Sequence, residues 1–212
     1  MKLFVAMFLC LTLSSMAFAD VFESPLTAER SKDLTQVLSS MQSQKYVRGK
    51  FKQVRTVKKI NRDFISTGAF TIADTLGILW NMEKPFPNLT AITRDKMLQK
   101  NASGAVSKMD MKDNVVFSQV SQTIQGIFSG NRQMLEERFQ IFFEMGKGGL
   151  WTIGLVPKEN VIKKQISSVV LSGHKWLEKV TLTDGDGNPI LYEFSEVAGG
   201  ITLTPEESAL LR

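Results

Sequence analysis

From Tyr46 onward the apolar residues recur at every second position, and a chain that alternates in this way has to build sheet. The alternation predicts strands over 46–60, 64–73, 77–83, 89–93 and 96–100. After a break it resumes over 139–145, 150–156, 164–171, 175–183 and 190–197. The last two are joined by Asp184-Gly185-Asp186-Gly187-Asn188-Pro189, a composition that turns a hairpin.

Three segments depart from this period. Ser24-Pro25 reads as an N-cap followed by proline at the first helical position. Leu34, Val37, Leu38 and Met41 then repeat at helical spacing, predicting an amphipathic helix that ends near Gln44. In the middle of the chain, Val116, Val120, Ile124, Ile127 and Phe128 fall on one side of a helix over 115–128, closed by Gly130, with a second short helix over 133–138. At the end, Thr204 and Glu207 are spaced as a capping box around Pro205.

The first nineteen residues belong to none of this. Met1-Lys2 is followed by an apolar run from Leu3 to Leu13 and by Ala17-Phe18-Ala19, the layout of a secretory signal cut after Ala19. The run is about eleven residues, where a membrane span needs about twenty. Cleavage removes Cys10, the only cysteine, so no disulfide can hold the exported chain and its core must. The expected domains are therefore a signal over 1–19 and a single unit over 20–212. Lysine and arginine number 26 against 21 acidic residues, and loss of Lys2 leaves a net charge of about +4. The densest basic stretch runs from Lys45 to Arg62 and reads as the wet face of a strand, with a patch for phosphate or anionic head-groups as the alternative. No motif for nucleic acid is present.

Catalytic chemistry finds few residues to work with. His174 is the only histidine, so neither a Cys-His pair nor a His-rich metal site can be assembled. Asp184, Asp186 and Asn188 begin like a calcium loop, but Pro189 stands where that loop needs glycine and Ser195 where it needs glutamate. Gly146-Lys147-Gly148-Gly149 precedes a strand, which makes it a turn and not a phosphate cradle. We expect no enzyme activity, no cofactor and no metal.

Apolar excess is what remains. Phe51, Phe70, Ile72, Ile78, Trp80 and Met82 recur at same-face positions, with Phe139, Ile141, Phe143, Trp151 and Ile153 from the later strands. An ordinary core and a greasy hollow inside a curved sheet both fit this composition.

Phe51-Lys52-Gln53, Ser66-Thr67-Gly68-Ala69-Phe70 and Gly77-Ile78-Leu79-Trp80-Asn81-Met82-Glu83-Lys84-Pro85 occur in that order. Tyr192-Glu193-Phe194-Ser195-Glu196-Val197 and Ile201-Thr202-Leu203-Thr204-Pro205 follow. The set resembles the periplasmic outer-membrane lipoprotein carrier family (LolA-like), as a divergent branch. The resemblance implies a mainly β fold with helices (α+β): an incomplete, strongly curved antiparallel β-barrel with a helical lid over an apolar cavity. It implies a non-catalytic, monomeric periplasmic carrier that shields acyl chains of a lipoprotein or glycolipid on the way to the outer membrane. An inner-membrane exporter would be the donor and an outer-membrane protein the acceptor. The expected cavity residues are Phe51, Phe70, Ile72, Ile78, Trp80, Met82, Phe143, Trp151 and Ile153, and the expected lid is the 115–128 helix. Where the family has an Arg-Pro lid latch this chain has Asp74-Thr75, so the latch is expected to differ, with Asp74 exposed and unbonded to lid carbonyls. A lid held by Arg48, Arg94 or another basic residue would mean relocation, and no latch would mean looser cargo control. The alternative is an envelope scaffold with a filled core.

Overall fold

The computed structural model describes residues 20–42, 45–73, 76–110, 126 and 130–211. Eleven strands form one antiparallel sheet in the order β6-β5-β4-β3-β2-β1-β11-β10-β9-β8-β7. They are β1 Tyr46–Val57, β2 Arg62–Ala73, β3 Gly77–Lys84, β4 Asn88–Ile92, β5 Lys96–Asn101 and β6 Val106–Asp110, then β7 Phe139–Met145, β8 Trp151–Pro157, β9 Ile166–Gly173, β10 Leu177–Asp184 and β11 Pro189–Gly199. Sequence neighbours pair as hairpins, and the two halves of the chain meet where β1 pairs with β11. No described pairing joins β6 to β7, so the sheet is open and not a closed barrel. Of these strands β6 was not anticipated. Val106 and Met109 are three apart, which hides a period of two.

The helices among the described residues are α1 Ala28–Gln42, α2 Arg132–Arg138, α3 Asn160–Lys163 and α4 Pro205–Leu210. Helix α1 starts later than Ser24-Pro25 suggested. Pro25 instead bridges to Phe142 on the β7 edge, and the Phe143 amide donates to the Ser24 carbonyl at 3.0 Å. The cap passes to Thr27, whose hydroxyl accepts from the Arg30 amide. Helix α3 lies in a lysine-rich stretch without obvious helical period and is anchored by one buried residue, Ile162.

Helices cover opposite faces of opposite halves. Leu34, Val37 and Leu38 of α1 and Leu135 of α2 pack on Phe139, Ile141, Phe143, Trp151, Ile153, Leu155, Val169, Leu171 and Val180. Burying each such side chain stabilises the fold by about 1.5–3 kcal/mol, making this the main core. Arg132 ties the two helices together, donating to Ser31 Oγ at 2.8 Å and to the Ser31 carbonyl at 2.9 Å. On the other face, at the β2–β5 half, Leu210 and Leu211 pack on Ala73, Leu79, Ala91 and Leu98. Of the expected 115–128 helix only Gly126, which is helical, is described; its other residues and Asp74-Thr75 lie outside the described residues.

Candidate functional site

Strand register decides which residues share a face. Phe51 stands opposite Phe194 on β11 and Gly68 on β2, and Gly68 stands opposite Met82 on β3. One pair along, Gly49, Phe70 and Trp80 are aligned; one further, Val47, Ile72 and Ile78. On the far half, Phe143, Ile153, Leu171, Val180, Tyr192 and Gln53 form one continuous rank across six strands. Side chains alternate between faces with a period of two. All nine expected cavity residues therefore lie on one face of the sheet, the face that also carries α1 and α2.

They fall into two groups there. Phe143 and Ile153 have no exposed surface and Trp151 has 2 %, packed beneath α1 and α2. A residue without exposed surface borders no water-sized void. The Trp151 indole nitrogen is satisfied by the His174 carbonyl at 2.6 Å. These three residues are the floor of the main core.

The second group is aromatic. The Phe51 and Trp80 rings stack with centroids 4.0 Å apart, and Phe70 lies 6.1 Å from Trp80. Two residues not included in the expected site complete the cluster. Phe194 meets Phe70 edge-on at 5.2 Å, and Tyr192 meets Trp80 edge-on at 5.7 Å. Both stand in the Tyr-x-Phe alternation of β11, so the period of two could have found them. Phe51 and Phe70 are buried, while Trp80, Met82, Ile72, Tyr192 and Phe194 are half-buried.

The distances report curvature. β3 and β11 are separated by β2 and β1, which in a flat sheet puts them roughly 14 Å apart, three spacings of about 4.8 Å. Rings from these two strands nevertheless meet at 5.7 Å. The sheet curls so that its apolar face is concave, and Trp80 sits where the sides converge. Glycine makes room at the bottom of this hollow: a Cβ on Gly49 would lie 2.7 Å from Phe70 Cζ. Gly68 puts no side chain between Phe51 and Met82, and a Cβ there would collide with the Asn81 carbonyl.

Polarity changes across β4. In the Trp80 rank the next residues are Thr90 and Gln99. Thr90 Oγ1 and Gln99 Nε2 both donate to Asn88 Oδ1, at 3.1 and 3.3 Å. Burial raises the Tyr192 pKa, with Arg55 pulling weakly the other way, so its phenol stays neutral. The five rings of the cluster carry no charge, with Arg55 of the same β1 face beyond Gln53, and what the cluster can do chemically is to take apolar surface out of water.

The remaining candidates sit elsewhere. Arg48 points to the opposite face, where it holds Glu207 of α4. His174 is exposed and contacts Glu178 at 3.1 Å. Asp184 Oδ1 accepts from the Asp186 and Asn188 amides at 3.0 and 2.8 Å, a side-chain-closed turn. An open groove of about 470 Å³ lies at the β7 edge, lined by Leu26, Glu136, Phe139, Gln140, Ile141 and Lys158. None of the nine expected residues borders it.

The family model of the outer membrane lipoprotein carrier protein LolA matches residues 42–207. That span contains every strand and the whole aromatic cluster. No curated protein matches the sequence. Among solved structures, a DUF1329 family protein from Desulfovibrio piger is 12 % identical, with 87 % of this chain and 98 % of that one covered and a TM-score of 0.49. A putative outer membrane lipoprotein-sorting protein domain from Vibrio parahaemolyticus gives 10 %, 91 %, 100 % and 0.45. Lipoprotein LppX from Mycobacterium tuberculosis gives 12 %, 82 %, 99 % and 0.45. Likeness at this level carries no weight for the site.

Proposed function

The chain belongs to the outer membrane lipoprotein carrier protein LolA family, and from that premise we propose that it is a periplasmic, non-catalytic carrier of acyl chains. The observation that carries this reading is the convergence of Phe51, Phe70, Trp80, Tyr192 and Phe194 on the concave side of an open sheet. Each methylene moved out of water is worth about 0.8 kcal/mol, so a long acyl chain cannot cross an aqueous space unshielded. An aromatic cluster with a half-buried Trp80 at its centre is suited to hold one, and an open sheet is suited to release it.

In this proposal the processed unit is 20–212, working as a monomer. Phe51, Phe70, Ile72, Ile78, Trp80 and Met82 contact the chains, with Tyr192 and Phe194 added. Phe143, Trp151 and Ile153 form the rigid floor behind them. The 115–128 helix, with Val116, Val120, Ile124, Ile127 and Phe128, is the lid. Cargo comes from an inner-membrane donor and goes to an outer-membrane acceptor.

A second reading, an envelope scaffold with a filled core, draws on the complete burial of Phe143 and Ile153. One experiment separates the two. Protein extracted from its own envelope is analysed for bound lipid by mass spectrometry, and Trp80→Asp is titrated with a fluorescent fatty acid. A carrier yields acylated species, and Trp80→Asp stays folded but stops binding. A scaffold yields no lipid, no fatty-acid binding by the wild type, and an unfolded variant.

A further inference from the structure

Large apolar side chains that stay exposed are concentrated at one end of the sheet. In an antiparallel meander the connections alternate between two ends. Here the β1–β2, β3–β4, β5–β6, β8–β9 and β10–β11 connections share one end. At this end Ile60, Phe64, Ile65, Phe86, Val106 and Val161 are 49 to 78 % exposed, while among the described residues Met145 alone stands at the other.

Ile60, Phe64 and Ile65 belong to a single projecting hairpin. β2 begins at Arg62, but β3 reaches only to Lys84, opposite Thr67. On the other side β11 leaves β1 at Arg55, opposite Ile190. On the β3 side the edge of β2 is free over 62–66, while β11 still flanks β1 as far as Arg55, so β1 and β2 pair only with each other at Thr56–Asp63 and Val57–Arg62, a short ribbon that ends in the turn. Its tip is a tight Lys58–Ile60 turn closed by Asn61 in the left-handed region at φ 47°. The Lys58 amide donates to Asn188 Oδ1 of the neighbouring β10–β11 hairpin at 3.1 Å, which holds the start of the tip turn against that hairpin and leaves Ile60 beyond it.

Charge follows the same geometry. Residues 55–65 hold Arg55, Lys58, Lys59 and Arg62, all exposed, against one acid, Asp63, whose carboxylate accepts from Thr56 Oγ1 at 2.7 Å. Lys163 and Lys164 stand at the same end, beside the exposed Val161. Phe64 and Ile65 are successive strand residues and so point to opposite faces of the hairpin. A protein groove would cover one face and leave the other wet. A lipid interface surrounds both, and a basic collar behind an apolar tip matches an anionic headgroup layer above acyl chains.

We propose that the β1–β2 hairpin tip, with Ile60, Phe64 and Ile65 inserting and Lys58, Lys59 and Arg62 collaring them, docks the protein transiently on an anionic phospholipid bilayer. The docking needs no cargo, so it stands or falls apart from the carrier reading. The processed protein, as cells export it, is sedimented with vesicles of phosphatidylglycerol and phosphatidylethanolamine and with vesicles of phosphatidylcholine. Binding is expected to the anionic vesicles, weakened by salt, and at least ten-fold weaker to the zwitterionic ones. Phe64→Ser with Ile65→Ser should weaken it at least ten-fold with the thermal transition unchanged, because both positions are exposed. Lys58→Glu with Lys59→Glu should do the same, each basic side chain near such a surface being worth about five-fold. Cys10 lies in the signal, so Ile60→Cys gives a unique thiol in the processed chain; an environment-sensitive dye on it should brighten on anionic vesicles. The proposal is overturned if the wild type ignores anionic vesicles, if the Ser variants bind as well as wild type, or if the dye responds only to a second copy or a protein partner.

Discussion

Glu207 and Arg48 are joined across 159 positions of sequence, with Arg48 Nη2 donating to both carboxylate oxygens at 2.8 and 2.7 Å. The same carboxylate accepts from Thr71 Oγ1 at 2.9 Å and, as the third residue of a capping box, from the Thr204 amide at 2.8 Å. Helix α4 is only six residues long and would not persist alone. It is held because one carboxylate caps its start and pins it to the face of β1 and β2 away from the aromatic cluster. Replacing Glu207 with Ala removes the cap and leaves Arg48 without this partner. A loss of about 1–3 kcal/mol is expected in urea unfolding. Arg48→Ala should cost less, since the cap survives it.

The pH dependence of that pairing has a defined sign. Burial pushes the Glu207 carboxyl up, but the bonds from Thr204, Arg48 and Thr71 outweigh it and hold the pKa below its ordinary value of about 4.5. A carboxyl depressed by folding adds stability above its unfolded pKa and loses it as pH falls through the folded one. Stability measured by urea midpoint should therefore drop faster below about pH 4.5 in the wild type than in Glu207→Gln.

The aromatic cluster rests on missing side chains. A Cβ on Gly49 would meet Phe70 Cζ and Cε1 at 2.7 and 2.8 Å, with the Ser195 carbonyl oxygen at 3.1 Å behind it. Gly49→Ala must therefore push the Phe70 ring out of its place beside Trp80 and Phe194, at a cost of about 1–3 kcal/mol. Near-ultraviolet circular dichroism should show the altered ring packing. An unchanged aromatic spectrum with unchanged stability would mean that Phe70 does not lie over Gly49.

The two groups on the concave face should respond differently to truncation. Phe143→Ala opens a cavity under α1 and is expected to destabilise by about 3–5 kcal/mol, the usual range for a buried phenylalanine. Trp80 is half-buried, and Trp80→Ala should remain within about 2 kcal/mol of wild type. Equal losses at the two sites would place Trp80 in a filled core and weaken the carrier reading.

Most strands were legible because alternation survives wherever one face is buried: Phe51, Gln53 and Phe70 through Trp80 kept it. Val106 to Asp110 did not, because β6 is an edge strand whose outer residues stay wet and need no pattern. The common face of the nine apolar residues was legible from period alone. Its division was not, since sequence period is blind to which half of a sheet the helices cover. Ser24-Pro25 carried a helix-start signal that tertiary pairing with Phe142 and Phe143 overrode. The Arg48–Glu207 bond joins residues too far apart for any local rule.

The proposed cleavage after Ala19 is open to direct measurement. Cutting after Ala19 would leave Asp20 first, and Asp20 Oδ1 accepts from the Phe22 amide at 3.1 Å to cap the Val21–Glu23 turn. Val21 is 4 % exposed, and Phe22 meets Phe142 edge-on at 5.4 Å. Gly154 on β8 makes room for both, since a Cβ there would lie 2.9 Å from Val21 Cγ1 and from the Phe22 ring. Residues from Asp20 onward are thus built into the β7–β8 edge, while the apolar run before them has no comparable pattern in sequence. N-terminal sequencing of the exported protein should read Asp-Val-Phe-Glu. Val21→Asp should bury an unpaired carboxylate and destabilise by several kcal/mol, whereas Asp20→Ala should cost about 1 kcal/mol. Processing beyond Val21 would remove this edge contact, and a chain so shortened but equally stable would show that the turn contributes nothing to the fold.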